Sequence, residues 1–245
     1  MGLYAAGSEG VAEPFVIRDV IISETEEVTE VDISSVPADF RLGAVLVNQD
    51  EHAYAKVRFD AQSIDWFTKN LMRVRDPVTR GTIWRYFWML VMDRKMSSLK
   101  YMEFVKLQLP DESVDQIRSV GLMNLRVLIS NYIPSEVVSE SKQAMFDTLI
   151  TLMGKEGVPK DSIVDQLFGF LSSEEQVRAS VGWLQSGKIT VGDQTLYEMQ
   201  VKHKHSILKA LFKTTYYSTE EKMQLLEATL GDDKTDLAEN CRFTC

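Results

Sequence analysis

The chain has 245 residues, 44% hydrophobic and 26% charged, which is enough to bury a sizeable core and excludes an extended, highly charged tail. Its 36 acidic and 27 basic side chains leave a formal charge of -9, so a surface built for phosphate backbones, and with it a nucleic-acid partner, is not expected. No run reaches the roughly 20 apolar residues of a membrane span and no signal-peptide pattern opens the chain, so a cytoplasmic location and no membrane partner are expected.

The first sixty residues carry β signals. Residues 1–4 are expected to form an opening strand at the very start of the chain, residues 15–22 and 28–33 are rich in β-branched side chains, and residues 53–59 alternate Ala53, Ala55, Val57 and Phe59 with Tyr54, Lys56 and Arg58. Turn formers separate them, at residues 7–10 and at 34–39 around Pro37. The expectation is a small antiparallel β-sandwich over residues 1–62, truncated at its start.

From Ser63 the period becomes helical. Ile64, Phe67 and Leu71 make one stripe, while Ile83, Trp84, Phe87, Trp88, Leu90 and Val91 make a helix apolar on most sides, hence a central one. Ile117, Gly121, Leu125 and Leu128 follow behind a capping-box pattern at Ser113 and Gln116; Phe146, Leu149, Ile150 and Met153 follow next, closed by Gly154. Further boxes are expected at Ser172 with Glu175 and Ser218 with Glu221, and a short strand excursion at residues 189–196. With no strict repeat, the pattern predicts a mainly α protein: an irregular α-solenoid of antiparallel helical hairpins over residues 63–245, itself incomplete at its end.

The catalytic inventory is thin. A zinc-peptidase helix needs two imidazoles one turn apart with a glutamate between them, and the three histidines, His52, His203 and His205, do not have that spacing. His203 and His205 point to nearly opposite sides of the helix expected over residues 196–212. Cys241 and Cys245 have no neighbouring His or Cys to complete a four-ligand set and are expected to be reduced thiols. The acidic run at residues 231–236 lacks the oxygen spacing of a calcium loop, whose twelfth position from Asp232 is Phe243. No phosphate loop, dinucleotide fingerprint or nucleophile elbow occurs. The expected catalytic, cofactor-binding and metal-binding residues are therefore none.

Residues 46–60, Leu-Val-Asn-Gln-Asp-Glu-His-Ala-Tyr-Ala-Lys-Val-Arg-Phe-Asp, set an Asn-acidic turn before Tyr54, Lys56, Val57, Phe59 and Asp60. Asp76, Pro77, Arg80 and Trp84 follow, then Trp-Leu-Gln-Ser-Gly at 183–187 and Gly-Asp-Asp-Lys-Thr-Asp at 231–236. In this order, these segments resemble the β-sandwich linker and C-terminal helical domain of aminopeptidase N-type zinc metallopeptidases. The resemblance implies a parent enzyme whose zinc, held by two His and a Glu in an upstream domain, activates water to remove the N-terminal residue of a peptide. This chain would then hold no cofactor and have no activity alone. Its helices would enclose the peptide cavity, moving about residues 59–63, with the basic residues between Arg73 and Lys106 steering the peptide carboxylate. The partners so implied are the catalytic domain, missing or on a separate chain, and a peptide substrate; the alternatives are a stand-alone helical scaffold and a regulatory chain of a split enzyme.

Overall fold

A computed structural model describes residues 1–6, 10–16, 20–23 and 25–231 and is mainly helical, with small antiparallel sheets. The chain divides into two compact units, residues 1–121 and 122–245.

In the first unit, β1 (Gly2–Ala5) pairs with both β2 (Phe15–Val16) and β3 (Leu42–Leu46) in the order β2-β1-β3. Gly2 lies opposite Leu46 and Tyr4 opposite Ala44, with the register slipping between Tyr4 and Ala5. The sheet is fastened to α1 (Ala61–Asn70), because the backbone N–H of Val45 donates to Ser63 Oγ at 2.9 Å and Gln62 Nε2 donates to the Leu42 carbonyl at 2.7 Å. Gly43 is required here: a Cβ would lie 2.5 Å from Trp66 Nε1. Asp60 caps α1 by accepting from Ser63 N at 2.9 Å, and Asp76 caps α2 (Pro77–Met92) by accepting from Thr79 N at 2.8 Å, with Pro77 in the first turn where its missing N–H costs nothing.

With α3 (Ser98–Gln108), these helices enclose an aromatic core. Tyr4, Phe67, Phe87, Tyr101 and Phe104 are fully buried, and tilted or edge-on ring pairs run from Tyr4–Phe67 at 5.2 Å through Phe59–Phe87 at 5.5 Å to Trp84–Phe104 at 4.5 Å. α4 (Asp115–Asn131) begins in this unit, where Gly121 lets the Trp84 ring approach; a Cβ would sit 3.0 Å from Cζ3.

The second unit holds the rest of α4, then α5 (Val138–Met153), α6 (Asp161–Leu167), α7 (Glu174–Ser186), the hairpin β4 (Lys188–Val191) and β5 (Gln194–Glu198), α8 (Val201–Phe212) and α9 (Thr219–Leu230). Gly187 ends α7 with φ 74° and Gly192 turns the hairpin with φ 54°, both left-handed conformations that favour glycine. Trp183 stacks on Phe146 at 6.3 Å and donates from Nε1 to the Thr190 carbonyl, tying the hairpin to α5 and α7. Val177, Val181 and Leu211 join α7 to α8, with Leu225 of α9 against them.

Several local expectations need correction. Residues 28–33 and 53–59 are not strands; Ala53 to Lys56 are exposed and only Val57 of that stretch is buried. Of the stretch read as strand over residues 15–22, Phe15–Val16 form β2, residues 17–19 lie outside the described residues and residues 20–22 are not strand, while β3 begins at Leu42, ahead of the stretch read as strand at 53–59. The box read at Ser172 and Glu175 forms one residue later, at Ser173 and Gln176, because Gln176 Oε1 accepts from both Ser172 N and Ser173 N. α4 begins at Asp115, where Val114 N donates to the Glu112 carboxylate, so no box opens it at Ser113. α8 begins at Val201, since residues 196–198 belong to β5. The box at Ser218 and Glu221, the end of α5 at Gly154 and the excursion near 189–196 stand where expected.

Candidate functional site

Of the eight basic residues from Arg73 to Lys106, Arg73, Arg80, Arg85 and Lys100 have partners within the first unit. Arg80 meets Glu112 through Nε–Oε2 at 3.0 Å and Nη2–Oε1 at 2.9 Å, both side chains buried, and donates from Nη1 to the Val74 and Arg75 carbonyls. Arg73 donates to the Gly10 carbonyl and Asn70 Oδ1, Arg85 pairs with Glu51, and Lys100 pairs with Asp65 at 2.6 Å. His52 stands exposed, 3.8 Å from Asp50. Cys241, Cys245 and residues 232–236 lie outside the described residues.

His203 and His205 are both buried on α8. His203 faces Asp161 and Asp165, one turn apart on α6, with Nε2 at 3.5 and 3.1 Å from their Oδ1 atoms. Tyr197 donates to Asp161 Oδ1 at 2.6 Å, and Lys202 Nζ lies 2.5 Å from Asp161 Oδ2 and 3.1 Å from Asp165 Oδ2. These hydrogen bonds from Lys202 and Tyr197 hold the Asp161 carboxyl below the usual range.

Two carboxylates and an imidazole this close resemble a metal ligand set, but the donor chemistry does not fit one. Gln200 N–H donates to His203 Nδ1 at 3.1 Å, which fixes the ring proton on Nε2. A metal-binding imidazole needs the reverse, a lone pair toward the ion and an N–H toward an acceptor. The Nε2 proton faces the carboxylates slightly off the hydrogen-bond line. Burial lowers the His203 pKa, outweighing the pull of Asp165, so the ring is held neutral. The Lys202 ammonium stands where a cation would, and the network ties α6 to β5 and α8.

The same face of α6 borders a cavity of about 470 Å³ wholly within the second unit. Arg126 of α4, Lys142 of α5, Lys209 of α8 and Lys213 at its end line it together with Asp165, over a floor that includes the buried Phe168 and Phe170. Arg126 is held in place: Nη1 donates to Gln166 Oε1 at 3.1 Å, and its guanidinium lies on Gly169, where a Cβ would come within 3.0 Å of Nε. No described carboxylate pairs with Lys142, Lys209 or Lys213. Sequence reasoning missed this group, because its members come from four helices; only the one-turn spacing of Lys209 and Lys213 is visible in the chain. Neither the family models nor the curated proteins contain a match to this chain. Among the described residues no helix is long and apolar enough to cross a membrane.

Proposed function

We propose that this chain is a non-catalytic portion of an aminopeptidase N-type enzyme, residues 1–62 acting as its linking β-sandwich domain and residues 63–245 as an α-solenoid that encloses the peptide cavity in the cytoplasm. One observation carries the reading: Asn48, Gln49, Asp60, Asp76, Arg80 and Trp84, among the residues that bear the likeness, are joints, while Ala53 to Lys56 of the same stretch are exposed. Asn48 brackets its turn by donating to the Ala53 carbonyl and accepting from Ala53 N, and its amide also reaches the Tyr86 hydroxyl. Gln49 accepts from Tyr4 OH at 3.0 Å and donates to Thr79 Oγ1 at 3.0 Å. Asp60 and Asp76 are helix caps, Arg80 is a buried strut, and Trp84 is core. Residues in such positions shape a wall and leave the cleavage chemistry to another domain.

The experiment is metal analysis and hydrolysis by the purified chain. With leucyl p-nitroanilide and added zinc it is expected to show no turnover, and mass spectrometry of the native complex should find His-Glu-x-x-His on an upstream segment or a bound chain. Chelator-sensitive turnover by this chain alone, or a native species with no such motif on any component, overturns the proposal. The cationic cavity favours a second reading, a helical module that binds a small anionic ligand on its own account.

A further inference from the structure

The geometry points to the cavity between α4, α5, α6 and α8 as a binding site for a small hydroxylated organic phosphate, a ligand class that the aminopeptidase reading does not call for. Four cations face one carboxylate there, in a chain whose overall charge is -9. Such local segregation runs against the acidic background and creates a demand for negative charge. Lys142 and Lys209 are half-buried and Lys213 is exposed, so their ammonium groups are within reach of an anion that enters the cavity.

The shape and the remaining polar atoms narrow the class. A volume of about 470 Å³ exceeds what a bare ion fills and falls within the range of small-molecule sites. Arg126, with one nitrogen already given to Gln166, retains N–H groups for a planar contact with two oxygens, and the lysines add point charges, a combination suited to a dianion. The hydroxyls of Ser206 and Thr214 donate to the carbonyls of Lys202 and Leu211, so what they offer the cavity is lone pairs. Asp165 offers acceptors too. Lone pairs beside a cationic end favour a ligand that carries hydroxyl donors next to its phosphate.

The test is calorimetric titration of the full chain at low salt with four probes: glucose 6-phosphate, inorganic phosphate, glucose, and a tripeptide with a free C-terminal carboxylate. The phosphomonoester is expected to bind, inorganic phosphate more weakly and glucose not at all, with affinity falling as salt rises. Arg126→Gln and Lys209→Gln should each weaken binding about tenfold or more, the loss of one charge-assisted contact. Lys213→Glu, at an exposed position that the fold tolerates, should do the same, while Lys69→Gln in the first unit should change nothing. The wild-type melting temperature should rise with the phosphomonoester and stay level with glucose. Equal binding by wild type and Lys213→Glu, no heat with either phosphate, or tighter binding of the tripeptide than of the phosphomonoester overturns the assignment. The last result alone would still agree with a peptide-cavity role, so the two proposals fail separately.

Discussion

In the first unit the Arg80 guanidinium and the Glu112 carboxylate meet through two hydrogen bonds in a site closed to water, whereas in the second unit Lys142, Lys209 and Lys213 line an open cavity with no described carboxylate to pair with them. The difference separates two uses of charge. A pair that satisfies every donor and acceptor is fixed in one geometry and answers to nothing outside itself. Cations gathered without partners keep their fields directed into solvent, and respond to whatever anion arrives. The Asp161, Asp165, Lys202 and His203 network lies between these cases: internally matched, yet only half-buried at its carboxylates and lysine.

That comparison breaks first at Arg80. Arg80→Met leaves the fully buried Glu112 carboxylate without its partner and should cost about 3–5 kcal/mol in urea denaturation. The double variant Arg80→Met/Glu112→Leu should recover most of that loss, since two apolar groups leave no charge uncompensated. A single-variant cost below about 1 kcal/mol would mean that the strut does not bear on the fold. Next in size is Gly43→Ala. Its Cβ would fall 2.5 Å from Trp66 Nε1 and 2.9 Å from the Ala6 backbone, an overpacking expected to cost about 1–3 kcal/mol and to alter the near-ultraviolet dichroism of the Trp66 environment.

How far such features could be read from the sequence depends on the range of the interaction. α2 was legible from its apolar run, Ile83 to Val91, whereas Asp76 and Pro77 were singled out only through the likeness and prove to be its cap and first turn. The Ser218 box was legible because both partners lie within one turn. The alternation at residues 53–59 misled, since a period of two shows that a segment can be a strand and says nothing of a neighbour to pair with; Ala53 to Lys56 have none among the described residues. The ion network and the cavity were illegible for the same reason at longer range. Lys202 and Asp161 are 41 residues apart, and nothing local in either helix marks the other. The likeness around Asn48 did single out residues that matter, but for their hydrogen bonds in the frame.

The half-buried network yields a smaller effect, and its sign follows from His203. Burial places its native pKa below the ordinary value of about 6.5, so as pH falls through 6.5 the unfolded chain takes up the proton first and stability declines. His203→Gln keeps an acceptor for Gln200 N–H and a donor for Asp165 but does not titrate, so its melting temperature should fall less than that of wild type between pH 7 and pH 5. Asp161 acts at lower pH: its depressed pKa makes it stabilising above its unfolded value near 3.8, and that contribution is lost as pH falls through the native one. Lys202, raised by Asp161, contributes below about 10.5 and loses its contribution as pH rises beyond that. An acid limb identical in wild type and His203→Gln would move His203 out of the titrating set.

The smallest effect sharpens the comparison most, because it holds the chemistry constant and changes only the solvent. Lys100 and Asp65 make a lysine–aspartate contact of 2.6 Å, about as short as that of Lys202 with Asp161, but it joins two exposed side chains, with only the more distant Lys69 charge acting on Asp65 besides. Water screens such a pair, and holding two mobile side chains together costs entropy, so a double-mutant cycle with Lys100→Ala and Asp65→Ala should give a coupling of about 0.2–1 kcal/mol that fades at high salt. The cycle with Lys202→Ala and Asp161→Ala should give a larger coupling that salt diminishes less, because Tyr197 and Asp165 fix the geometry before the charges meet. Equal couplings at the two sites would show that contact distance alone sets the energy and that the surrounding network contributes nothing, and the distinction between matched, half-matched and unmatched charge would then lose its physical basis.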